Sequence, residues 1–311
     1  MTDVLVNVLM ITYNHEKYIE KAIRSILKQK TSFKFNIIIG EDCSTDETRK
    51  IILNIQKEFP EKIKLLLHDK NIGSKKNLQS VEKLCNAPYI AILEGDDYWI
   101  NPNKLQNQID FLVNNPVYSG CVHGINIIDD SETILMGTYH ERLYYKGLKY
   151  TEDDLVKGIL PGQSGTMVYR NILKTLDDSK INDYFSTNSN GDWRRTVLLL
   201  SVGPIYCFQE KMSNYRYVVT SGDSWNSSIY GKNLSNQFFD SFVELEYLSK
   251  ELIDNKIDFY IAKQNIGHGA LKFMLKAPSK DNFIKFNYIY RKIDRKGIFW
   301  INLFKRVFQK K

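Results

Sequence analysis

Cysteine, proline, histidine and glycine are all sparse in this 311-residue chain, which holds 4 Cys, 7 Pro, 5 His and 17 Gly. Cys43, Cys85, Cys121 and Cys207 stand far apart with no C-x-x-C pair. That spacing argues against a zinc ribbon, a dithiol redox motif and a secreted disulfide framework, and leaves a reducing, cytoplasmic setting as the expectation. The histidines show no H-x-x-x-H or H-E-x-x-H spacing, so zinc chemistry has no support. No apolar run reaches the about 20 residues of a spanning helix. The first run, residues 4–11, is broken by Asn7 and lacks the basic start of a signal peptide, so it reads as a strand. Glycine is missing where dinucleotide and P-loop folds need it to wrap a phosphate: Thr12, Tyr13, Asn14, His15 and Glu16 follow the first strand instead.

What is present is ordinary for a globular protein, with 43% hydrophobic and 25% charged residues and length for two domains, or for one large domain with an appendage. Nearly continuous apolar runs at residues 4–11, 35–39, 63–67 and 89–93 alternate with helical spacing, as in Ile19, Ala22, Ile23, Ile26 and Leu27. Ser44 and Glu47 read as a capping box for the second helix. This β-α order predicts an α/β fold with a doubly wound, mostly parallel sheet, whose ligands sit outside the carboxyl ends of the strands. Further strands are expected at 121–129, 164–169, 205–208 and 212–219, and a helix at 192–200. Beyond residue 226 only helical patterns remain, so 1–225 reads as a catalytic domain and 226–311 as a helical C-terminal region.

Acid gathers at the strand ends: Glu41 and Asp42 after the second, then Glu94, Asp96 and Asp97 after the fourth. Carboxylates crowded on a short loop repel one another unless a cation neutralises them, and an all-oxygen site suits Mn²⁺ or Mg²⁺ bridging to substrate phosphates. A solvated turn, or a cap for the helix after Pro102, accounts for Asp96 and Asp97 equally well on these residues alone.

Four segments in order resemble glycosyltransferase family 2. VLMITYNHEKYIEKAIRSIL resembles its opening strand, turn and helix, and IIIGEDCSTDET its second acidic element. NIGSKKN is similar to its Asn-x-Gly turn and ILEGDDYWINPNKL to its acidic metal motif. Later, Asn190-Gly191-Asp192-Trp193 resembles the Glu-Asp-Trp element that carries the catalytic base, with Gly191 in the place of an acid, and SNYRYVVTSGDS resembles a Tyr-Arg-x-His-x-x-Ser element with Val218 in the place of histidine. The resemblance implies a GT-A-like fold and a metal-dependent, inverting transfer of sugar from a UDP-sugar to a saccharide or lipid-linked saccharide, as in capsule, O-antigen or exopolysaccharide assembly. It places Thr12, Tyr13, Asn14, Glu16, Asp42, Lys75, Asp96 and Trp193 around the nucleotide sugar. Asp97, with Asp96, would hold Mn²⁺ or Mg²⁺, and Asp192 would be the base. Two alternatives stand beside it: an inactive sugar-nucleotide-binding scaffold, suggested by Gly191 and Val218, and a nucleotidyltransferase, which needs a glycine-rich basic loop that residues 12–16 do not supply.

The net charge of +7 belongs to the end of the chain. Residues 283–311 carry nine Lys or Arg against Asp294, leaving the first 282 residues near neutrality, so nucleic acid is not an expected partner. Trp300, Ile301, Leu303, Phe304, Val307 and Phe308 fall on one side of a helical wheel, and Phe283, Phe286, Tyr290 and Ile293 make a second stripe. Basic amphipathic helices of this kind predict peripheral binding to an anionic membrane at its cytoplasmic face, with packing onto the catalytic domain or a homo-oligomer as the competing use of the same stripes.

Overall fold

The computed structural model describes residues 4–137, 144–218, 232–253 and 257–308. Four strands, β1 (Val6–Thr12), β2 (Phe35–Glu41), β3 (Ile63–Leu67) and β4 (Tyr89–Ile92), lie parallel in the order β3-β2-β1-β4. Their connections are α1 (Ile19–Leu27), α2 (Thr48–Glu58) and α3 (Ser74–Leu84). Because side chains alternate along a strand, Val6, Val8 and Met10 face a core built with α1, α2 and α4 (Lys104–Asn114), while Leu9 faces the opposite core with Val81 of α3. Burial on both faces is why β1, β2 and β4 are mostly apolar, whereas the edge strand β3 leaves Lys64 and Leu67 exposed.

The chain reverses direction across the sheet between β1 and β4, which creates a crevice at their carboxyl ends. The register pairs Thr12 with Glu41 and Leu9 with Ile92, so the three strand ends and the loops that follow them share one edge.

The second half of the nine-stranded sheet is mixed. It holds β5 (Tyr98–Trp99), β6 (Gly120–Ile128), β7 (Lys149–Tyr150), β8 (Val168–Arg170) and β9 (Ile205–Arg216). β8 runs antiparallel to β4 and to β6, while β6 runs parallel to β9 with register shifts around Gly124. The two strands expected at 205–208 and 212–219 are thus one, β9: polar Gln209 and Glu210 fall in the register shift against β6, and pairing resumes at Lys211 opposite Gly124. The second helix also differs from its reading, starting at Thr48 with Asp46 Oδ1 accepting from the Thr48 N–H at 3.0 Å, while Ser44 Oγ serves the first loop.

A short helix α5 (Glu152–Leu155) carries a capping box from Thr151 and Asp154; α6 (Asp178–Ser186) and α7 (Gly191–Leu200) follow. The C-terminal helices are α8 (Ser235–Ile253), α9 (Tyr260–Lys276), α10 (Lys280–Lys292) and α11 (Lys296–Phe308). The boundary near residue 226 lies outside the described residues. Phe242, Leu245 and Leu248 of α8 join the core that holds Val197 to Leu200 of α7. Part of the second tail stripe is not free: Ile293 is buried with Phe239, Ala270, Ile289 and Phe299, and Phe286 and Tyr290 pack against that cluster. The four C-terminal helices need this apolar area for their own packing, which is the usual fate of an amphipathic face. Among the described residues no helix is long and apolar enough to cross a membrane.

Candidate active site

The loops at the crevice are laced together before any ligand is considered. Asn14, at φ 54°, donates its N–H to Ser44 Oγ at 3.0 Å and accepts at Oδ1 from the Thr45 N–H at 2.9 Å. The His15 N–H donates to Thr48 Oγ1, the Glu16 N–H to Asp46, and Glu16 Oε2 accepts from the Glu47 N–H at 3.0 Å. Thr12 is buried with Oγ1 3.1 Å from His15 Nδ1. Tyr13 is half-buried and takes no part in this lacing. Asp42, also buried, accepts from the N–H groups of Ile72 and Gly73 at 2.8 and 2.9 Å, which fixes the Asn-x-Gly turn; Gly73 sits at φ 84°, where only glycine is unstrained. Glu41 is a brace: fully buried, it accepts from the Ser44 N–H and pairs with Arg49.

Glu94, Asp96 and Asp97 each offer an oxygen within 4.8 Å of the others. Gly95 between them has no room for a side chain, since a Cβ there would lie 2.7 Å from Thr12 Oγ1 and 2.8 Å from His15 Nδ1. The acidic loop therefore rests directly on the first loop. Asp97 is buried, with Oδ1 accepting from the Arg216 N–H at 2.8 Å and Oδ2 from Gln163 Nε2 at 3.0 Å. Ser164 Oγ donates to Glu94 Oε1 at 3.2 Å. No group of the described residues bonds the carboxylate of half-buried Asp96. Burial first, then the neighbouring carboxylates, push the Asp97 and Glu94 carboxyls well up from the usual range; for Glu94 those neighbours are Asp96 and Asp192. Three hard oxygen donors held together against their own repulsion fit a divalent cation such as Mn²⁺ or Mg²⁺.

Asp192 stands in the first turn of α7. The cap is Asn190, whose Oδ1 accepts from the Asp192 N–H at 2.9 Å, so the Asp192 carboxylate is not spent on capping. Arg195 Nη1 lies 3.5 Å from Asp192 Oδ1, and Arg195 Nη2 lies 3.0 Å from Glu82 of α3, which also binds Arg194 Nη2 at 2.9 Å. Both guanidinium groups and Glu82 are fully buried. Glu82, shared by both guanidinium groups, and the partly exposed Asp192 beside Arg195 supply the counter-charge that such burial needs. Burial pushes the Asp192 carboxyl up while Arg195 pulls it down. A Cβ at Gly191 would come within 2.8 Å of Leu78 Cδ2, the movable end of a side chain, so a larger residue needs only a small shift of Leu78. Trp193 is half-buried and its ring packs edge-to-face on Phe242 with centroids 5.0 Å apart. Lys75 donates from Nζ to Asn188 Oδ1 at 2.7 Å, tying the Asn-x-Gly helix to the loop before α7; burial and Arg194 hold its amine below the usual range.

The fold therefore brings Thr12, Tyr13, Asn14, Glu16, Asp42, Asp96 and Asp97 to one edge, with Asp192 close enough to Glu94 to shift its ionisation. Gln163, Ser164 and Arg216, which hold the acidic loop, were not foreseen in those roles. Glu82 had a visible signal: Leu78, Val81, Glu82 and Cys85 share a helical face, and a lone acid in such a stripe demands a buried partner.

A doubly wound half-sheet joined to a mixed half, with crowded acids at the switch point, defines a GT-A-like nucleotide-sugar fold. The chain belongs to glycosyl transferase family 2, whose profile matches residues 7–175. An uncharacterized protein of Mycobacterium tuberculosis is 35% identical over 122 residues, 39% of this chain, and the match spans about a third (35%) of that relative's length. A putative teichuronic acid biosynthesis glycosyltransferase of Bacillus subtilis, TuaG, is 28% identical over 72% of this chain and 84% of its own. An Escherichia coli UDP-Glc:alpha-D-GlcNAc-diphosphoundecaprenol beta-1,3-glucosyltransferase is 36% identical over 38% of this chain and 44% of its own. Among solved structures, S. aureus TarS 1–349 in complex with UDP-GlcNAc superposes with a TM-score of 0.66 over 94% of this chain and 82% of its own, at 17% identity, a likeness of fold.

Proposed function

We propose that this chain is a metal-dependent, inverting glycosyltransferase that moves a sugar from a UDP-sugar to a hydroxyl of a saccharide acceptor carried on a lipid during surface-polysaccharide assembly. The observation that carries the reading is the acidic cluster at the switch point with Asp192 beside it. Tyr13 offers its ring to the base, Asp42 has lone pairs left for a pyrimidine imide N–H, and Thr12, Asn14 and Glu16 hold the loop that shapes this end. Lys75 stands near the diphosphate. Asp96, the least engaged of the three acids, and Asp97 would hold Mn²⁺ or Mg²⁺. The ion supplies charge neutralisation for the departing diphosphate.

Asp192 takes the proton of the acceptor hydroxyl as that oxygen attacks the anomeric carbon. The new C–O bond forms on the face opposite the breaking C–O bond to UDP, so the configuration inverts. A carboxylate suits the step, since negative charge also favours an oxocarbenium-like transition state. The UDP-GlcNAc-bound fold neighbour and the UDP-Glc-using relative support the donor, and the teichuronic acid and diphosphoundecaprenol relatives support the acceptor class. A basic C-terminus would draw the protein to the anionic cytoplasmic face of a membrane, where a lipid-linked acceptor is found.

The test is a panel of UDP-sugars with Mn²⁺, read by thermal unfolding and then by UDP release with lipid-linked saccharides. A true donor at a hundred times its Kd should add about 2.7 kcal/mol of stability. No stabilisation by any UDP-sugar, with or without metal, would sink the reading.

A further inference from the structure

The turn between α9 and α10 carries large apolar side chains that nothing covers. Leu275 is 68% exposed, Phe283 58%, Ile284 53% and Phe273 42%. They flank the short turn that joins the end of α9 to the start of α10, where Asn282 Nδ2 donates to the Ala277 carbonyl at 2.8 Å and Ser279 Oγ caps α10 by accepting from the Asn282 N–H. Single exposed hydrophobics are ordinary, but four within twelve residues of one turn are a surface that expects a partner.

Charge identifies the partner. Lys272, Lys276 and Lys280 are exposed around these side chains, and the one nearby acid, Asp281, is already paired with Lys285 at 2.7 Å. We infer that the α9–α10 corner is a wedge for an anionic bilayer, with Phe273, Leu275, Phe283 and Ile284 entering the acyl boundary and Lys272, Lys276 and Lys280 held among the head groups. Lysine stems can cover apolar surface while their ammonium groups reach outward, which suits this interleaving. The inference rests on the membrane part of the proposed function, and it moves the insertion from the final helix to this turn.

Flotation of the full chain with phosphatidylglycerol–phosphatidylcholine (3:7) and pure phosphatidylcholine vesicles tests it. Wild type should float with the anionic vesicles alone. The triple variant Leu275→Ser, Phe283→Ser, Ile284→Ser should lose at least tenfold in bound fraction with an unchanged unfolding midpoint, since all three side chains are exposed. A second variant, Lys272→Gln, Lys276→Gln, Lys280→Gln, should lose the preference for anionic lipid. Wild type that floats with anionic vesicles alongside an unaffected triple variant would overturn the wedge and leave membrane association by the tail standing. Wild type that stays in solution with both vesicles would overturn both. A dimer dispersed by the triple variant, with flotation unchanged, would make the corner a protein interface instead.

Discussion

Arg195 stands 3.5 Å from the Asp192 carboxylate, one turn along the same helix. It is the cation that favours the charged form of a partly enclosed carboxyl, against the larger opposing effect of burial. Asp192→Asn should retain UDP and Mn²⁺ binding, read by thermal shift, and lose turnover by about two to four orders of magnitude. Turnover equal to wild type would place the base elsewhere.

The same pair sets a pH dependence. Arg195 on its own helix, Glu94 after β4 and Tyr144 are the titratable groups that bear on Asp192. Burial raises the Asp192 carboxyl, so the base form is lost on acidification at a higher pH than for an ordinary aspartate. The acid limb of kcat should therefore lie above about pH 4, the usual aspartate value. Arg195→Met removes the cation that favours the charged form, so the limb should move further up. A limb that moves down, or not at all, refutes the pairing.

Glu82 is fully buried between Arg194 and Arg195. Glu82→Gln leaves two enclosed guanidinium groups with less compensation and should cost roughly 3–5 kcal/mol in urea unfolding. Arg194→Met added to Glu82→Gln should recover part of it, because one surplus charge goes. Additive losses in the double variant would show that the pair does not interact.

Asp96 and Asp97 should separate on substitution. Asp96→Ala removes an acid that makes no bond to the described residues, so it should abolish Mn²⁺-dependent UDP binding without destabilising the fold. Asp97→Ala strips the acceptor from the Arg216 N–H and from Gln163, at about 1–3 kcal/mol for each donor left unpaired, against relief of carboxylate repulsion. Calorimetric UDP titrations with and without Mn²⁺, beside thermal unfolding of each variant, check both. Identical unfolding of the two variants would contradict the bonding of Asp97.

Burial pushes the thiols of Cys85, Cys121 and Cys207 up to about 12, whereas Cys43 is half-buried and follows Asp42 directly. A maleimide at neutral pH should modify one thiol of the native protein, at Cys43, and UDP with Mn²⁺ should slow the reaction. Labelling at a second cysteine would contradict the packing, and labelling unaffected by UDP would contradict a nucleotide beside Asp42.

Much of the first half was written locally. Apolar runs covered on both faces can only be buried parallel strands, and the helices between them show their stripes, so Thr12, Asp42 and Asp96 could be assigned to strand ends sharing one edge without coordinates. The helix carrying Asp192 and Trp193 was legible in its pattern, but the packing of the Trp193 ring on Phe242 was not, because it depends on which helix arrives beside it. The same limit hid Gln163, Ser164 and Arg216. Residues 66 to 119 positions away in the chain reach Asp97 because β8 pairs antiparallel with β4 and β9 runs beside β6, with its register shifted at Gly124. Periodicity reports which face of an element is apolar, but it carries no information about which neighbour that face will meet. Folding decided that: the mixed half of the sheet packs its strands in the one order that buries both faces, and this brings a backbone N–H and an amide to a carboxylate that would otherwise be enclosed alone.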